Sequence, residues 1–526
     1  MCLEKPIMAL KIWSHEQIKL VFSSPICLSF FFLISVLIVF NLAIKKPKSK
    51  TNINKLPSPP KLPIIGNLHQ LGTLPFRSLR DLSLKYGNMM LLQLGWKKAL
   101  VISSAEVALE IMQTHDLAFS NRIQNTTTNI VFYGCTDVGF QNYGENWRQK
   151  RKICVLELLN TKSVQSFRQI REEEVDELVS KIREASSNNA YVNLSELFLE
   201  TTNNIICTCS LGRKYEGASE SDNRVKEIAR DIMTHLSTFM VGDYFPSLAW
   251  VDVLRGKIGK IKDTSQALGR VFDQVIEERL DVKEIENDQI KKKGFIDILL
   301  QLKEDGMLGF ELSNNDVKAI LTNMFVGGTD TTATTLEWAV SELVKHPTIM
   351  KKTQEEVRRV VNDKSKVEES DINQMNYLKC VVKETLRLHP VLPLLVPRET
   401  ISSVKLNGYD IPEKTSVYFN AWAIQRDPKN WENPDEFKPE RFEHNQDGFK
   451  VEDFHFIPFG FGRRGCPGIN FGIIVIEYVL ASLLYWFDWK LTETNSGKHD
   501  IDMSEIFGLG LTKKEPLLLK PITFSF

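Results

Sequence analysis

The sequence predicts a mainly α-helical domain with a small β region, preceded by a single membrane-spanning helix. Three observations carry this. From Leu20 to Ile44 no residue is charged, and Pro25 to Phe40 is dense in Phe, Leu, Ile and Val. Downstream, long helix-type apolar stretches recur, above all Ser313 to Val344 and Gly468 to Phe487. Strand-like alternation is confined to two short stretches, Tyr86 to Ile102 and Val404 to Phe419.

The N-terminal run has the length of an anchor. As a helix it spans about 37 Å, enough to cross a bilayer. A cleaved signal peptide has a shorter apolar region that ends in small residues. Here Lys45, Lys46, Lys48 and Lys50 follow instead, which favours the cytoplasmic side for the rest of the chain. Lys5, Lys11 and Lys19 on the other flank moderate that bias. Residues 1–19 are then a short lumenal N-terminus, 20–44 the anchor, 45–61 a basic and Pro-rich linker, and 62–526 one globular domain. Met8 is an alternative start. Pro57-Ser58-Pro59-Pro60 stiffens the linker, because proline fixes φ.

Within the domain, Tyr86–Ile102 reads as a strand pair. Val164–Ala185 and Lys257–Leu280 read as amphipathic helices and Asp281–Lys293 as a polar loop. Ser313-Asn314-Asn315-Asp316 has capping-box form and starts a helix that Pro347 ends. About 30 residues of helix reach roughly 45 Å, the width of a domain. Asn407-Gly408 marks a turn between two short strands.

Composition excludes more than it assigns. Lys+Arg and Asp+Glu both number 66 in 526 residues, so no global basic field points to nucleic acid. The eight cysteines are scattered without paired metal-site spacing, as expected of free thiols in a reducing compartment. The sequons at Asn125 and Asn193 are then expected to stay unmodified.

Four patterns stand out. Phe459-x-x-Gly462-x-Arg464-x-Cys466-x-Gly468 fixes five residue types in ten positions, a match expected by chance on the order of 10⁻⁴ times per chain. A lone cysteine is usually a small buried hydrophobe. Here glycines allow backbone N–H groups close to the sulfur, and Pro467 suits the first position of a helix. Cys466 would thus lie at a helix N-terminus, where a negative sulfur is favoured. Gly327-Gly328-Thr329-Asp330-Thr331-Thr332 interrupts the long helix with poor helix formers and is expected to weaken it and open a groove. Glu384 and Arg387 share one helix face, with Pro439-Glu440-Arg441-Phe442 between them and Cys466. Trp147-Arg148-Gln149-Lys150-Arg151-Lys152 sets an aromatic before a basic run.

Together these motifs, in this order, resemble the cytochrome P450 family, in particular its plant microsomal A-type members that build specialised metabolites. The resemblance spans roughly residues 20 to 526. It implies the cytochrome P450 fold and a haem-thiolate enzyme carrying haem b. Cys466 would be the proximal iron ligand, in a loop with Phe459 and Gly468. Asp330 and Thr331 would carry protons during oxygen activation; the family often has Ala where Gly327 stands. Trp147, Arg151, Arg398 and Arg464 would hold the propionates, since arginine meets a carboxylate bidentately. Glu384, Arg387 and Arg441 would form a structural triad without chemistry. Substrate contacts would come from Leu117–Val138, Phe325, Val391–Val396 (Val391, Leu394 and Leu395 among them) and Phe507–Leu511, including Leu509. These apolar walls suit a lipophilic ligand.

The implied reaction is monooxygenation with O₂ and two electrons from NADPH, delivered by a separate NADPH-cytochrome P450 reductase. No flavin- or nicotinamide-binding motif occurs in the chain itself. Lys150, Lys152 and Arg463 could form a patch for that partner. The implied location is the endoplasmic reticulum membrane, single-pass, with the domain in the cytosol and against membrane lipid. A terpenoid, including triterpenoids, is the first substrate expectation. Alkaloids and phenylpropanoids stay open, as do a haem enzyme that rearranges or dehydrates its substrate and a haem-free membrane scaffold.

Overall fold

The computed structural model describes residues 29–30, 32–36, 56–214, 220–284, 294–306, 310–444, 453–491, 501–508 and 510–525. Within the anchor region, residues 29–30 and 32–36 are helical, and Phe30, Phe32 and Leu33 are exposed apolar side chains. The rest of that region lies outside the described residues, as does most of the stretch read as a loop from Asp281 to Lys293.

The domain is mainly helical. The helices that build the site are α1 (Glu145–Ile153), α2 (Arg168–Ser187), α3 (Leu194–Leu211), α4 (Lys257–Glu284), α5 (Asn314–Lys345), α6 (Asn376–Leu388) and α7 (Ile469–Trp486). The strands used below are β1 (Met89–Leu94), β2 (Lys97–Ile102), β3 (Asn121–Arg122), β4 (Arg398–Glu399), β5 (Ser416–Phe419) and β6 (Leu511–Lys513).

The first strand pair is an antiparallel hairpin, with Met89 opposite Ile102. β2 pairs in parallel with β5, β5 antiparallel with β4, and β4 with β3. This register sets Arg122 directly opposite Arg398. The turn at Asn407-Gly408 joins Val404–Leu406 to Tyr409–Ile411, with positive φ at both turn residues.

α5 is the central helix. Ser313 caps it: its hydroxyl accepts from the Asp316 N–H, while the Asp316 carboxylate accepts from the Ser313 N–H. The helix runs continuously from Asn314 to Lys345 through the Gly327–Thr332 stretch. Close packing on α3 explains the glycine at 328. A Cβ there would lie 2.4 Å from Ile206 Cδ1. The helix expected from Val164 to Ala185 is divided at Phe167, whose ring packs edge-on against Phe295 at 5.1 Å. α7 is long and apolar enough to cross a membrane, but most of it is buried in the domain, so it is a core helix.

The Glu384–Arg387 pair is completely buried. Arg387 meets Glu384 through two bonds, 2.7 and 2.9 Å, and donates to the carbonyls of Gln425, Pro434 and Glu436. Arg441 reaches the same carboxylate at 3.3 Å and donates to the carbonyls of Glu432 and Asn433. The triad therefore ties α6 to the chain that leads into the cysteine loop. Removing one partner of a buried pair leaves an uncompensated charge, so Glu384→Gln should lower unfolding free energy by about 3–5 kcal/mol. Urea unfolding followed by tryptophan fluorescence checks this, and an unchanged midpoint contradicts the role.

Candidate active site

A cavity of about 330 Å³ lies between the middle of α5 and the loop that precedes α7. Phe459, Gly460, Gly465, Cys466, Pro467 and Gly468 form one wall. Gly327, Gly328, Asp330 and Thr331 face it from α5.

The loop holds the cysteine by its backbone. The Cys466 N–H donates to the Phe459 carbonyl at 2.9 Å, and the Gly468 N–H donates to the sulfur at 3.3 Å. Gly462 takes φ +63°, and a Cβ there would meet the Asp116 carboxylate at 2.5 Å, so glycine is required. α7 begins at Ile469 with Gly468 as its cap. Pro467 is thus one residue ahead of the cap, not at the first helical position as expected. Burial raises the Cys466 thiol above its ordinary value, while the Gly468 N–H and Arg151 oppose the rise. A metal cation overrides such a shift, since a coordinated thiol is deprotonated. The cysteine is exposed on the cavity side.

One edge of the cavity concentrates positive charge. Arg122, Arg398 and Arg464 are buried and Arg151 is half-buried. Burial is the main cause pushing Arg464 down to about 9 and Arg398 to about 10, and Arg122 falls well below its ordinary value. Two acids lie among them. Asp116 pairs with Arg398 at 3.2 Å and Arg463 at 3.1 Å. Asp137, pushed up to about 6 by burial, accepts from Asn323 at 2.9 Å. Four guanidiniums against two acids leave room for an anionic partner with two carboxylates, and the sulfur at the cavity wall supplies a soft metal ligand. The residues fit a haem. Bound there, haem b would be held by Cys466 and the arginine edge and would supply iron for activating O₂.

The side chains expected at the propionates also make contacts within the protein. Trp147 donates its indole N–H to the Val138 carbonyl at 2.9 Å and lies under the Arg464 guanidinium, 4.1 Å away. It is a platform for arginine. Arg151 donates to the Gly465 carbonyl at 2.7 Å and so braces the cysteine loop. Arg464 donates to the carbonyls of Ser120 and Gln141, both at 2.6 Å. Arg122 was not singled out in the sequence; it donates to the carbonyls of Gly139 and Val396. Only its strand pairing with Arg398 reveals it.

On α5, Asp330 borders the cavity and burial pushes its carboxyl up to about 6. The Thr331 hydroxyl donates to the Gly327 carbonyl at 2.7 Å. Val391 and Leu395 line the cavity. Phe325 and Leu394 do not. At 100° per residue, Phe325 points away from the side shared by Asn323, Gly327 and Thr331, into the helical core. Leu394 packs with Phe76 and Trp422 beside the small sheet. Leu509 lies outside the described residues. Sequence reading missed Phe140, Ile206, Leu236 and Phe295, which complete the apolar wall. Distant helices and loops bring these together, and no local pattern marks them. Asn323 alone had a signal, four residues before Gly327. Lys150 also departs from expectation: it is buried and paired with Asp316, so it belongs to no surface patch.

The two glycines of α5 should respond oppositely to alanine. Gly328→Ala must displace Ile206 and should cost about 1–3 kcal/mol. Gly327→Ala meets nothing within 4 Å and should gain up to about 1 kcal/mol of helix propensity. Chemical unfolding of both variants checks the order, and the reverse order contradicts the packing assigned here.

Comparison with known proteins agrees with this geometry. The family model for cytochrome P450 matches residues 56–520. The chain is 51% identical over 526 residues to phenylacetaldehyde oxime monooxygenase CYP71AN24 of Prunus mume, covering 98% of both chains. It is 52% identical over 455 residues to cytochrome P450 71A1 of Persea americana, covering 86% of this chain and 90% of that one. It is 45% identical over 482 residues to strychnine-11-hydroxylase of Strychnos nux-vomica, covering 91% and 94%. A zebrafish cytochrome P450 solved with progesterone superposes with a TM-score of 0.74 at 24% identity, over 85% of this chain and 99% of that one. With the cysteine loop, the arginine edge and the central helix in place, the chain belongs to the cytochrome P450 family, as a plant A-type haem-thiolate monooxygenase.

Proposed function

We propose that this enzyme inserts one oxygen atom from O₂ into a compact, lipophilic specialised metabolite, with electrons from NADPH supplied by a separate reductase. The observation that carries the reading is the wall opposite Cys466. It is uncharged apart from Asp330, and Thr331 stands beside that acid. Asp330, with its carboxyl raised to about 6, holds and releases a proton close to neutral pH. Thr331 follows it about 100° around the helix, still bordering the cavity, its hydroxyl donating to the Gly327 carbonyl.

The lining supports a substrate class. Phe132, Phe140 and Phe295 add aromatic surface to the aliphatic Val391, Leu392 and Leu395. An arylalkyl oxime fits these features, and a relative with 51% identity is named for phenylacetaldehyde oxime. A terpenoid, the first expectation from sequence, is the second reading; the aliphatic side of the wall supports it. Co-expression with a plant reductase, followed by mass spectrometry under labelled O₂, separates the two. The oxime should be consumed and its product labelled, with exchange into water excluded. Unlabelled product sinks monooxygenation, and turnover of terpenoids with the oxime untouched replaces the substrate class.

For location, we propose a single-pass anchor in the endoplasmic reticulum with the domain in the cytosol. Leu62 and Ile64, next to the Pro-rich linker, are exposed, as are Trp96, Trp250, Val253 and Leu254. Backbone bonds from Gly95 to Ile65 and from Trp96 to Tyr244 draw these loops together. An apolar patch near residue 56, where the described domain begins, suits contact with lipid. A chain lacking residues 1–50 should still sediment with phospholipid vesicles, and Trp250→Glu with Leu254→Glu should release it. Equal sedimentation of both forms contradicts the contact. Among the basic residues considered for reductase docking, Lys152 and Arg463 remain exposed.

A further inference from the structure

The chain leaves α6 at a proline. Pro390 disfavours helix in the residue before it, so α6 ends at Leu388 with His389 as its cap. Residues 391–396 then form a loop that borders the cavity through Val391, Leu392, Leu395 and Val396. Leu395 takes φ +50°, a conformation that a bulky side chain keeps only where its surroundings impose it. Three carbonyls of the loop are held from outside. Val391 accepts from the Leu511 N–H at 2.8 Å, Pro393 from the Trp422 N–H at 3.1 Å, and Val396 from Arg122.

A side chain fixes the start of the loop. His389 is buried, and its Nε2 lies 2.7 Å from a Glu342 carboxylate oxygen. Its ring stacks on Trp338, with the planes 1° apart and the centroids 4.1 Å apart. Trp338 and Glu342 are four residues apart on α5 and so share one face of it. Burial opposes it, but hydrogen bonds from His346 and His389 hold the Glu342 carboxyl down to about 2. The ionised carboxylate only accepts, so Nε2 of His389 carries the hydrogen. Nδ1 has no hydrogen-bond partner among the described residues. The bond and the stack together leave the ring one orientation.

These contacts close a ring around the wall. The Trp338 indole N–H donates to the Leu511 carbonyl at 2.8 Å, and the Leu511 N–H donates to Val391, two residues after His389. Gly510 also borders the cavity, and a Cβ on it would sit 3.1 Å from Val391 Cγ1. Two wall segments more than a hundred residues apart in the chain thus meet without spare room. Each is referenced to α5, one through His389 and the other through the Trp338 N–H.

We infer that His389, bonded to Glu342 and stacked on Trp338, is a positioning residue that sets where the wall at Val391 and Gly510 stands. It thereby sets the orientation in which a bound lipophilic molecule is held. This rests on the apolar wall being the substrate wall, as proposed above, and holds for whichever metabolite binds. His389 does not border the cavity itself; it acts through Val391 and Leu511. Small displacements matter here, because misplacing a bound molecule by about 1 Å can cost roughly 100-fold in rate.

Azoles that ligate haem iron read the wall without knowledge of the natural substrate. Purified holoprotein is titrated with imidazole, 1-phenylimidazole and 4-phenylimidazole, and each Kd is taken from the Soret shift. The two isomers aim the same phenyl ring in different directions, so the ratio of their affinities reports the wall. His389→Phe keeps an aromatic ring for Trp338 and removes the bond to Glu342. It should change that ratio about fivefold or more, with imidazole affinity held within about twofold. Glu342→Gln keeps an oxygen for the His389 N–H and should leave the ratio at the wild-type value. The reduced CO spectrum and thermal midpoint monitor folding. If His389→Phe does not fold, Trp338→Phe, which loses the N–H to Leu511, should shift the ratio in its place. An unchanged ratio in the folded variant, whatever its thermal midpoint, makes these contacts merely structural and overturns the inference. So does an equal loss of all three affinities, which places the change at the haem. A Glu342→Gln shift as large as that of His389→Phe also overturns it. If the wild type binds neither phenylimidazole more tightly than imidazole, the apolar wall does not hold lipophilic molecules. The substrate reading above then fails, and this inference with it.

Discussion

Buried positive charge is the constraint that the rest of the site meets. Arg122, Arg398 and Arg464, with Arg151 beside them, converge on one edge of the cavity, and Asp116 and Asp137 balance only part of their charge. An uncompensated buried ion costs several kcal/mol, so the folded chain tolerates this edge because carbonyls accept from each guanidinium and because an anion belongs there. The two carboxylates of a bound haem b would meet that need, and Cys466 would supply the metal ligand. The family assignment and the electrostatics thus lead to the same cofactor from independent directions.

The scaffold is organised to hold this arrangement open. Glu384 and Arg387 lock α6 against the chain that becomes the cysteine loop. α5 is pressed against α3 at Gly328 yet keeps open space at Gly327. One helix thereby serves as a packing element on one side and as a cavity wall on the other.

Much of the site was legible in the sequence because its residues sit in short, dense motifs. Cys466, Asp330, Thr331, Arg398 and Arg464 all border the cavity, and the Glu384–Arg387–Arg441 triad forms as the order of motifs implied. The rest was illegible for physical reasons. Phe325 and Leu394 are apolar residues in apolar runs, and which side of the run faces the cavity depends on packing against distant elements. Phe295 and Leu236 reach the wall from helices with no motif of their own. Lys150 belongs to a basic run, yet the helix turns it inward to Asp316 while Lys152 stays outside. Phe167 ends one helix and leads into the next because its ring finds Phe295, a contact across more than a hundred residues of chain.

The central claim is that Cys466 ligates haem iron as a thiolate. The most direct measurement is the reduced, CO-bound absorption spectrum of the purified protein, alone and as Cys466→Ser. The wild type should show the red-shifted Soret band of thiolate ligation, and the variant, with only an oxygen in place of sulfur, should lose it. A folded wild-type protein without that band, or a Cys466→Ser variant that keeps it, would contradict the account.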